Sequence, residues 1–160
     1  MVRNITIPDF DFIYKLYMHP LTNPYLLYEQ MDENSFKPVF SDLLDKKIIY
    51  IYSETDTAIG MFKLIPLQHR NSHIAYLGGV AIHPDYMGKG YGKKMMMEII
   101  ALGKKLGLLR IELSTAVTNK KAIALYEKAG FEKEGLLRKY THLKSEGKFM
   151  DEVMMSYLYK

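Results

Sequence analysis

The sequence predicts a mixed α/β (α+β) domain whose central sheet combines antiparallel and parallel strands. The middle of the chain alternates strand, helix, strand and helix, and this succession favours parallel pairing. Closely spaced strands before and after it favour hairpins, and therefore antiparallel pairing. The chain has 160 residues, of which 48% are apolar and 25% are charged, a composition typical of one globular domain. We therefore expect a single domain over residues 1–160.

The N-terminal segment predicts one short strand and two helices. The strand is expected over residues 2–7, and Pro8 suits the first turn of the helix that follows, because a proline there loses no hydrogen bond. Residues 19–33 contain two prolines and predict a loop with a short helix. Ser35 is a candidate N-cap for a second helix that ends near Asp45. The apolar residues expected on one face of the first helix are Phe10, Ile13, Leu16 and Tyr17.

Three strands are expected next. Residues 48–53 and 58–67 flank a short polar turn and predict a hairpin. Residues 72–82 predict a third strand, which contains the pair Gly78-Gly79. Paired glycines within a strand indicate a bulge or a close approach by another backbone. The remaining elements expected are a helix ending near Leu106, a strand over 108–114, a helix over 119–129, and strands over 131–140 and 148–159.

The composition argues against several kinds of site and partner. The chain has no cysteine, so disulfides, thiolate metal sites and a cysteine nucleophile are excluded. We expect no metal ion among its histidines and acidic residues. The net charge is +4 with the lysines scattered in pairs, which does not favour a nucleic-acid partner. No signal-peptide pattern and no apolar run long enough for a membrane span is present, so we expect no membrane partner and a cytoplasmic location.

A glycine-rich turn follows the third of these strands. Gly88, Gly90 and Gly92 alternate at the expected start of a helix. Glycine lets the backbone approach a ligand and adopt positive φ, and the first turn of a helix offers unpaired amides at the positive end of its dipole. The pattern therefore predicts a phosphate-binding cradle. It lacks both the Gly-Lys-Ser/Thr of a Walker loop and the Gly-x-Gly-x-x-Gly of a dinucleotide fingerprint.

Two sequence blocks resemble the GNAT family of N-acetyltransferases. Residues 80–92 are similar to its acetyl-CoA-binding motif, with Met87 at a position that is Gln or Arg in the family. Residues 119–131 resemble its Asn-x-x-Ala-x-x-Leu-Tyr-x-x-x-Gly-Phe segment. The resemblance implies acetyl-CoA as cosubstrate and a GNAT-like fold: a mixed, mostly antiparallel sheet of about seven strands, splayed between the fourth and fifth, with about four helices. The cofactor-binding residues it implies are Val80, Ala81, Ile82, Met87, Gly88, Lys89, Gly90, Tyr91, Gly92, Lys93, Asn119, Ala122 and Tyr126.

The resemblance also assigns parts of the chemistry. It implies that Tyr126 is the general acid for the leaving thiolate, since a tyrosine with a pKa of about 10 is protonated at neutral pH. It implies a hydrogen bond from Asn119 to the pantetheine arm, and an oxyanion donor at the amide of Val80 or a neighbour. Many members of the family have a glutamate early on the strand that precedes the glycine-rich turn. Residues 72–77 contain no carboxylate, so the identity of the general base stays open. The candidates are His73, Glu112 and Glu29, and ordered water is a further route.

The acceptor implied by the resemblance is a primary amine, either on a small molecule such as a polyamine or at a peptide N-terminus. Residues 135–140 and 147–155 resemble the branch of the family that includes ribosomal-protein and polyamine acetyltransferases. The alternatives are a non-catalytic acyl-CoA-binding sensor or scaffold and, from the basic charge, a nucleic-acid binder. The family often dimerises, so a homodimer is a further expectation. The candidate acceptor-binding residues are Tyr25, Tyr28, Glu29, Tyr76 and Tyr140.

Overall fold

The structure, a computed structural model, describes all 160 residues. It contains four α-helices and seven strands, as the sequence predicts. The helices are α1 (Phe10–Met18), α2 (Glu33–Lys46), α3 (Tyr91–Lys105) and α4 (Lys120–Lys128). The strands are β1 (Val2–Asn4), β2 (Ile49–Glu54), β3 (Thr57–Pro66), β4 (Ile74–Ile82), β5 (Arg110–Ala116), β6 (Glu132–Leu143) and β7 (Lys148–Leu158).

The strands form one mixed sheet in the order β1-β2-β3-β4-β5-β7-β6. The β4–β5 pair is parallel, because α3 connects the two strands as a crossover, and the hairpins on either side pair in antiparallel fashion. β4 and β5 pair over only three residues, Ile74–Tyr76 with Arg110–Glu112, although both strands are longer. The mixed, mostly antiparallel sheet is confirmed, and the short β4–β5 pairing agrees with the expected splay.

The chain groups into two compact units, and each is described by itself. The first unit comprises residues 1–64 and 78–95, and the second comprises residues 65–77 and 96–160. The first holds α1, α2, β1, β2 and the glycine-rich turn, and the second holds β5, β6, β7 and α4. The expectation of a single domain stays a prediction. None of the helices has the length and apolar character that crossing a membrane requires.

The core of the first unit is built where α1 and α2 pack on the sheet. Apolar side chains recur on one face of each helix, as helical periodicity requires, and they are fully or almost fully buried. In α1 the buried residues are the predicted Ile13, Leu16 and Tyr17, and in α2 they are Phe36, Phe40 and Leu43. These six side chains belong to one hydrophobic cluster with Ile49, Ile51 and Met61.

The structure corrects two boundaries in the first unit. The N-cap of α2 is Asp32, whose side chain accepts a hydrogen bond from the Ser35 amide at 2.7 Å. Ser35, predicted as the cap, is instead the residue whose amide is capped. β1 ends at Asn4 rather than at residue 7, because the amide and hydroxyl of Thr6 both donate to the Asp9 carboxylate, at 2.7 and 2.9 Å. These bonds turn the chain into a short 3-10 helix.

In the second unit, a glycine in α3 makes room for the end of the chain. A Cβ at Gly103 would overlap the Tyr159 hydroxyl and lie 2.9 Å from the Ile111 side chain. With glycine in place, that hydroxyl donates to the Ile100 carbonyl at 2.7 Å. Burial raises the pKa of Tyr159 to about 12. The close approach therefore ties the segment after β7 to α3.

Candidate active site

The glycine-rich turn has the backbone conformation that only glycine adopts easily. It begins with a 3-10 helix, Pro84–Tyr86, capped by the His83 ring, whose Nδ1 accepts from the Asp85 amide at 3.2 Å. Gly88 and Gly90 then take φ values of +73° and +83°, in the left-handed region that other residues rarely occupy. A Cβ at either position would meet no atom within 4 Å. The glycines are therefore required by the backbone, and they leave the surface of the turn open.

The turn presents a run of unpaired backbone donors. The amides of residues 88–93 have no hydrogen-bond acceptor in the protein, and the first amide bond of α3 runs from Lys94 to the Gly90 carbonyl at 3.3 Å. Met87, which the motif includes, differs because its amide donates to the Pro84 carbonyl at 3.2 Å. The run of unpaired amides therefore begins at Gly88 and not at Met87, the first residue predicted to bind the cofactor in this turn.

Three lysines add positive charge to this turn, and their side chains are differently engaged. Lys89 donates to the Asp85 carbonyl at 2.9 Å, and Lys94 lies 3.7 Å from the Glu54 carboxylate. Lys93 is exposed and forms no ion pair in the structure. Free amides at a helix N-terminus, with a lysine beside them, suit a phosphate or diphosphate group.

β4 carries the predicted irregularity just before the turn. Gly79 takes φ +57°, which fits the bulge expected from Gly78-Gly79. The pairing of β4 with β5 ends at Tyr76. Of the residues predicted to follow the cofactor, Ala81 is buried, whereas Val80 and Ile82 are partly exposed. Their contact with the cofactor stays a prediction.

Asn119 caps α4 instead of pointing freely into a site. Its side-chain oxygen accepts from the Ala122 amide at 3.4 Å, and its side-chain nitrogen lies 3.5 Å from the Thr115 hydroxyl. These bonds hold the start of α4 on the end of β5. The predicted hydrogen bond from Asn119 to pantetheine would therefore use a side chain that already caps α4.

Tyr126 lies on the buried face of α4, one turn after Ile123. The side chain is 6% exposed, and its ring lies 5.9 Å from that of Phe131. Burial raises the pKa of Tyr126, and the neighbouring Tyr76 adds to the effect. Its hydroxyl donates to no group of the protein. Tyr126 is therefore a neutral phenol without a hydrogen-bond acceptor in the protein.

A chain of hydroxyl groups in the second unit ends on a carboxylate. The Tyr76 and Ser114 hydroxyl oxygens are 3.0 Å apart, and Ser114 donates to Glu152 Oε1 at 2.9 Å. Since Ser114 has one hydroxyl proton, Tyr76 is the donor in the first of these bonds. Thr141 donates to the other carboxylate oxygen of Glu152. The Tyr76–Glu152 chain can therefore pass a proton from β4 to a carboxylate on β7.

Sequence reasoning missed Ser114 and Glu152. Ser114 lies opposite Met154 and Glu152 lies opposite Ala116 in the antiparallel β5–β7 register, so both side chains share one face of the sheet. Alternation along β5 predicts a polar face that includes Ser114. The position of Glu152 on the same face depends on the β5–β7 register, which is set by the fold.

The base candidates from sequence are differently placed. Glu112 accepts from Arg110 Nε at 2.9 Å, and Arg110 also holds Glu134, whose pKa falls to about 2 because of that bond. His73 is exposed at the start of β4, and Glu29 is exposed in the loop after α1. His69 and His73 stand four residues apart, but His69 begins a 3-10 turn, His69–Asn71, and His73 follows it. No group of three His, Cys, Asp or Glu is arranged for a metal.

Comparison with known sequences identifies the family of this chain. The sequence profile of the acetyltransferase (GNAT) family matches residues 10–131, which include both the glycine-rich turn and α4. The chain belongs to the GNAT family. An uncharacterized N-acetyltransferase of Bacillus licheniformis, p20, is 34% identical to this GNAT chain over 111 residues, or 68% of the chain. The GNAT chain spans 59% of that relative's length.

Other relatives match the GNAT chain over nearly its whole length. A Bacillus subtilis protein, provisionally named as a ribosomal protein bS18 alanine N-acetyltransferase, is 25% identical over 142 residues, covering 87% of this chain and 85% of its own. The structure of spermidine N-acetyltransferase from Vibrio cholerae, solved with CoA and spermine, superposes with a TM-score of 0.85 at 23% identity, covering 99% and 94% of the chains. A ribosomal-protein-alanine N-acetyltransferase from Brucella melitensis superposes with a TM-score of 0.81 at 17% identity, covering 99% of both chains. These structures show the shared fold.

The predicted acceptor residues of this GNAT chain fall in both units. In the first unit, Tyr25 is exposed and Tyr28 is half-buried against Tyr17, with ring centroids 5.0 Å apart. In the second unit, Tyr140 is exposed on β6. Burial raises the pKa of Tyr76, and the nearby Glu152 and Tyr140 add to the effect. Tyr76 is engaged with Ser114, as described above. Their contact with an acceptor stays a prediction.

Proposed function

We propose that this GNAT chain transfers an acetyl group from acetyl-CoA to a primary amine. The observation that carries the proposal is the run of unpaired amides at residues 88–93, which lies at the N-terminus of α3. A diphosphate offers several charged acceptor oxygens, and such donors bind them without rearrangement. In this proposal the CoA pyrophosphate binds those amides and Lys93. Membership in the GNAT family supports this assignment.

The thioester would be oriented by the main chain of β4. This strand continues beyond Tyr76, where its pairing with β5 ends, so the backbone of Val80 and Ile82 is proposed to bond the pantetheine arm. The Val80 amide is proposed as the oxyanion donor, since a fixed backbone N–H stabilises charge that develops on the carbonyl oxygen.

Tyr126 is proposed to act on the leaving sulfur. As the amine attacks the thioester carbon, the tetrahedral intermediate collapses and the C–S bond breaks, which leaves a thiolate on CoA. An ordinary thiol has a pKa of about 8.5, below that of a tyrosine. Because burial raises the pKa of Tyr126 further, the phenol stays protonated throughout the attack, and as the general acid it donates a hydrogen bond to the thiolate as it forms.

The proton lost by the amine is proposed to leave along the Tyr76–Glu152 chain. Tyr76 donates to Ser114, and Ser114 donates to the Glu152 carboxylate, so a proton accepted at Tyr76 displaces one onto Glu152. Glu112 and His73 stay as alternative bases. Of these two candidates we favour His73, because the carboxylate of Glu112 is already paired with the Arg110 guanidinium at 2.9 Å.

The acceptor is proposed to be a primary amine of a small molecule or of a peptide N-terminus. Two relatives are named for an alanine of a ribosomal protein and for spermidine, and these names span both kinds of acceptor. Tyr25, Tyr28, Glu29 and Tyr140 are proposed to contribute to its binding.

An acetyl-CoA turnover screen tests the proposal. Purified chain is incubated with acetyl-CoA and polyamines, amino acids, aminoglycosides or peptides with free N-termini, and thiol release is measured. Calorimetry with CoA alone gives binding independently of turnover. We expect CoA binding and acetylation of at least one amine class. CoA binding without any turnover would favour the acyl-CoA sensor, and absence of CoA binding would overturn the proposal altogether.

A further inference from the structure

The β6–β7 hairpin contains a bulge next to Glu152. Leu137 of β6 pairs with Glu152 of β7, and the next pair along the hairpin is Thr141 with Met150. Between these two pairs β6 has three residues, whereas β7 has one, Asp151, so two residues of β6 are extra. Bulges re-aim the side chains of the strand that contains them, and they are common next to active sites.

Two contacts hold the bulge at Lys139. The backbone of Lys139 has φ +50°, in the left-handed region that residues other than glycine rarely adopt. Its amide donates to Asp151 Oδ1 at 2.7 Å, and its ammonium lies 5.6 Å from the ring centre of Phe149, a cation–π contact. Successive side chains of a strand point to opposite faces, so Asp151 and Phe149 hold Lys139 on the face away from Glu152.

The bulge determines which residue of β6 lies beside Glu152. Met150 and Glu152 are two residues apart and share one face of β7, so the residue opposite Met150 is a diagonal neighbour of Glu152. In the structure this residue is Thr141, whose hydroxyl donates to the Glu152 carboxylate. If the Leu137–Glu152 register continued without extra residues, Lys139 would lie opposite Met150 instead. The bulge therefore places a neutral hydroxyl where a regular ladder would place an ammonium.

The partners of Glu152 are both neutral. Its two carboxylate oxygens accept from the hydroxyl groups of Ser114 and Thr141. A lysine in the place of Thr141 would form an ion pair, which favours the charged carboxylate and makes it a poorer proton acceptor. Glu112 shows this second arrangement, because its carboxylate is paired with the Arg110 guanidinium at 2.9 Å.

We propose that Asp151 is a positioning residue that keeps Lys139 from pairing with Glu152, and so keeps this carboxylate able to accept a proton. The inference rests on the proposed role of Glu152 in acetyl transfer. Asp151 acts through the backbone of Lys139, because its carboxylate accepts from that amide and thereby stabilises the bulge. Lys139 carries the competing charge.

Two variants and a matched control test the proposal by turnover. In Asp151→Ala the amide of Lys139 loses its acceptor, so we expect β6 to take the regular register and kcat to fall by about tenfold, with the KM for acetyl-CoA unchanged. Adding Lys139→Met removes the competing ammonium and should restore kcat to within about threefold of the wild type. Asp151→Asn is the control, because its side-chain oxygen still accepts from the amide, and it should keep the wild-type kcat.

The charge of Lys139 distinguishes this role from a general loss of structure. Unchanged kcat in Asp151→Ala would overturn the proposal, and so would a loss that Lys139→Met does not reverse. Thermal unfolding checks that each variant is folded. If Asp151→Ala does not fold, Phe149→Leu replaces it, since this change removes the ring beside the Lys139 ammonium. We then expect kcat to fall by about threefold and Lys139→Met to restore it.

The register of the hairpin can be measured without turnover. Cross-strand nuclear Overhauser effects should pair Thr141 with Met150 in the wild type, and Lys139 with Met150 in Asp151→Ala. If no amine is acetylated, or if Glu152→Gln keeps full activity, the proposed reaction route fails, and this measurement decides the role of Asp151 by itself. A change to the Lys139–Met150 pair would support the positioning role, whereas the wild-type register in Asp151→Ala would overturn it.

Discussion

The glycine-rich turn and the region around Tyr126 present their donors in different ways. In the turn, the donors are the main-chain amides of residues 88–93, and their arrangement depends on the positive φ of Gly88 and Gly90. Around Tyr126, the proton-carrying groups are side chains on α4, β5 and β7, each fixed by packing or by a hydrogen bond. The first region depends on backbone conformation, and the second depends on which atoms the side chains carry. Substitutions should therefore affect the two regions by different mechanisms.

The largest effect is expected at Tyr126. Tyr126→Phe removes the proposed proton donor and keeps the ring that packs against Phe131, so kcat should fall by about 10²–10⁴. Steady-state turnover measures this, and calorimetry should find the CoA affinity unchanged. Because the pKa of Tyr126 is raised, the wild-type acid stays protonated above pH 10, where an ordinary tyrosine ionises. Full activity in Tyr126→Phe would show that Tyr126 is not the general acid.

The second prediction separates the proton acceptors. Glu152→Gln keeps the shape of the carboxylate that holds Ser114 and removes its basicity, so kcat should fall by about tenfold or more near neutral pH. Glu112→Gln is the matched control on the neighbouring strand, and we expect it to change kcat less than threefold. The pH profiles of both variants check this. A larger fall in kcat in Glu112→Gln than in Glu152→Gln would mean that Glu112, and not Glu152, accepts the proton.

The third prediction tests the backbone of the turn. Gly90 has φ +83° and open space around its Cβ position, so Gly90→Ala adds strain of about 1–2 kcal/mol without a clash. We expect the affinity for CoA to fall by about tenfold, because the amides lose their arrangement. Gly147→Ala is the control, since Gly147 also has positive φ, +61°, and open space, but lies between β6 and β7. It should lose similar stability in thermal unfolding and keep its CoA affinity.

The smallest effect is expected at Met87. Its amide is used by the Pro84 carbonyl, and its side chain is 40% exposed. Met87→Gln, which restores the residue type of the family motif, should change the CoA affinity by less than about threefold. Calorimetry of the variant checks this. A gain of tenfold or more would mean that this side chain contacts the cofactor, and that the turn is less independent of its side chains than we describe.

The same difference explains what the sequence could predict. Gly88, Gly90 and the helix after them form a local pattern, so the turn and its donors were predictable to within one residue. Capping is local too, yet Asp32 and Ser35 both suit an N-cap, and only the structure distinguishes them. Glu152 could not be found, because its position beside Ser114 depends on the β5–β7 register.

The unpaired amides of the turn have one more consequence. A backbone N–H without an acceptor exchanges its proton with solvent deuterium quickly, whereas amides within α3, from Lys94 onward, are protected by helical hydrogen bonds. A ligand bound to residues 88–93 would slow exchange at those positions first. Exchange rates in this segment therefore provide an internal reporter of occupancy, one that responds to inert analogues as well as to reacting cosubstrates and needs no label on either.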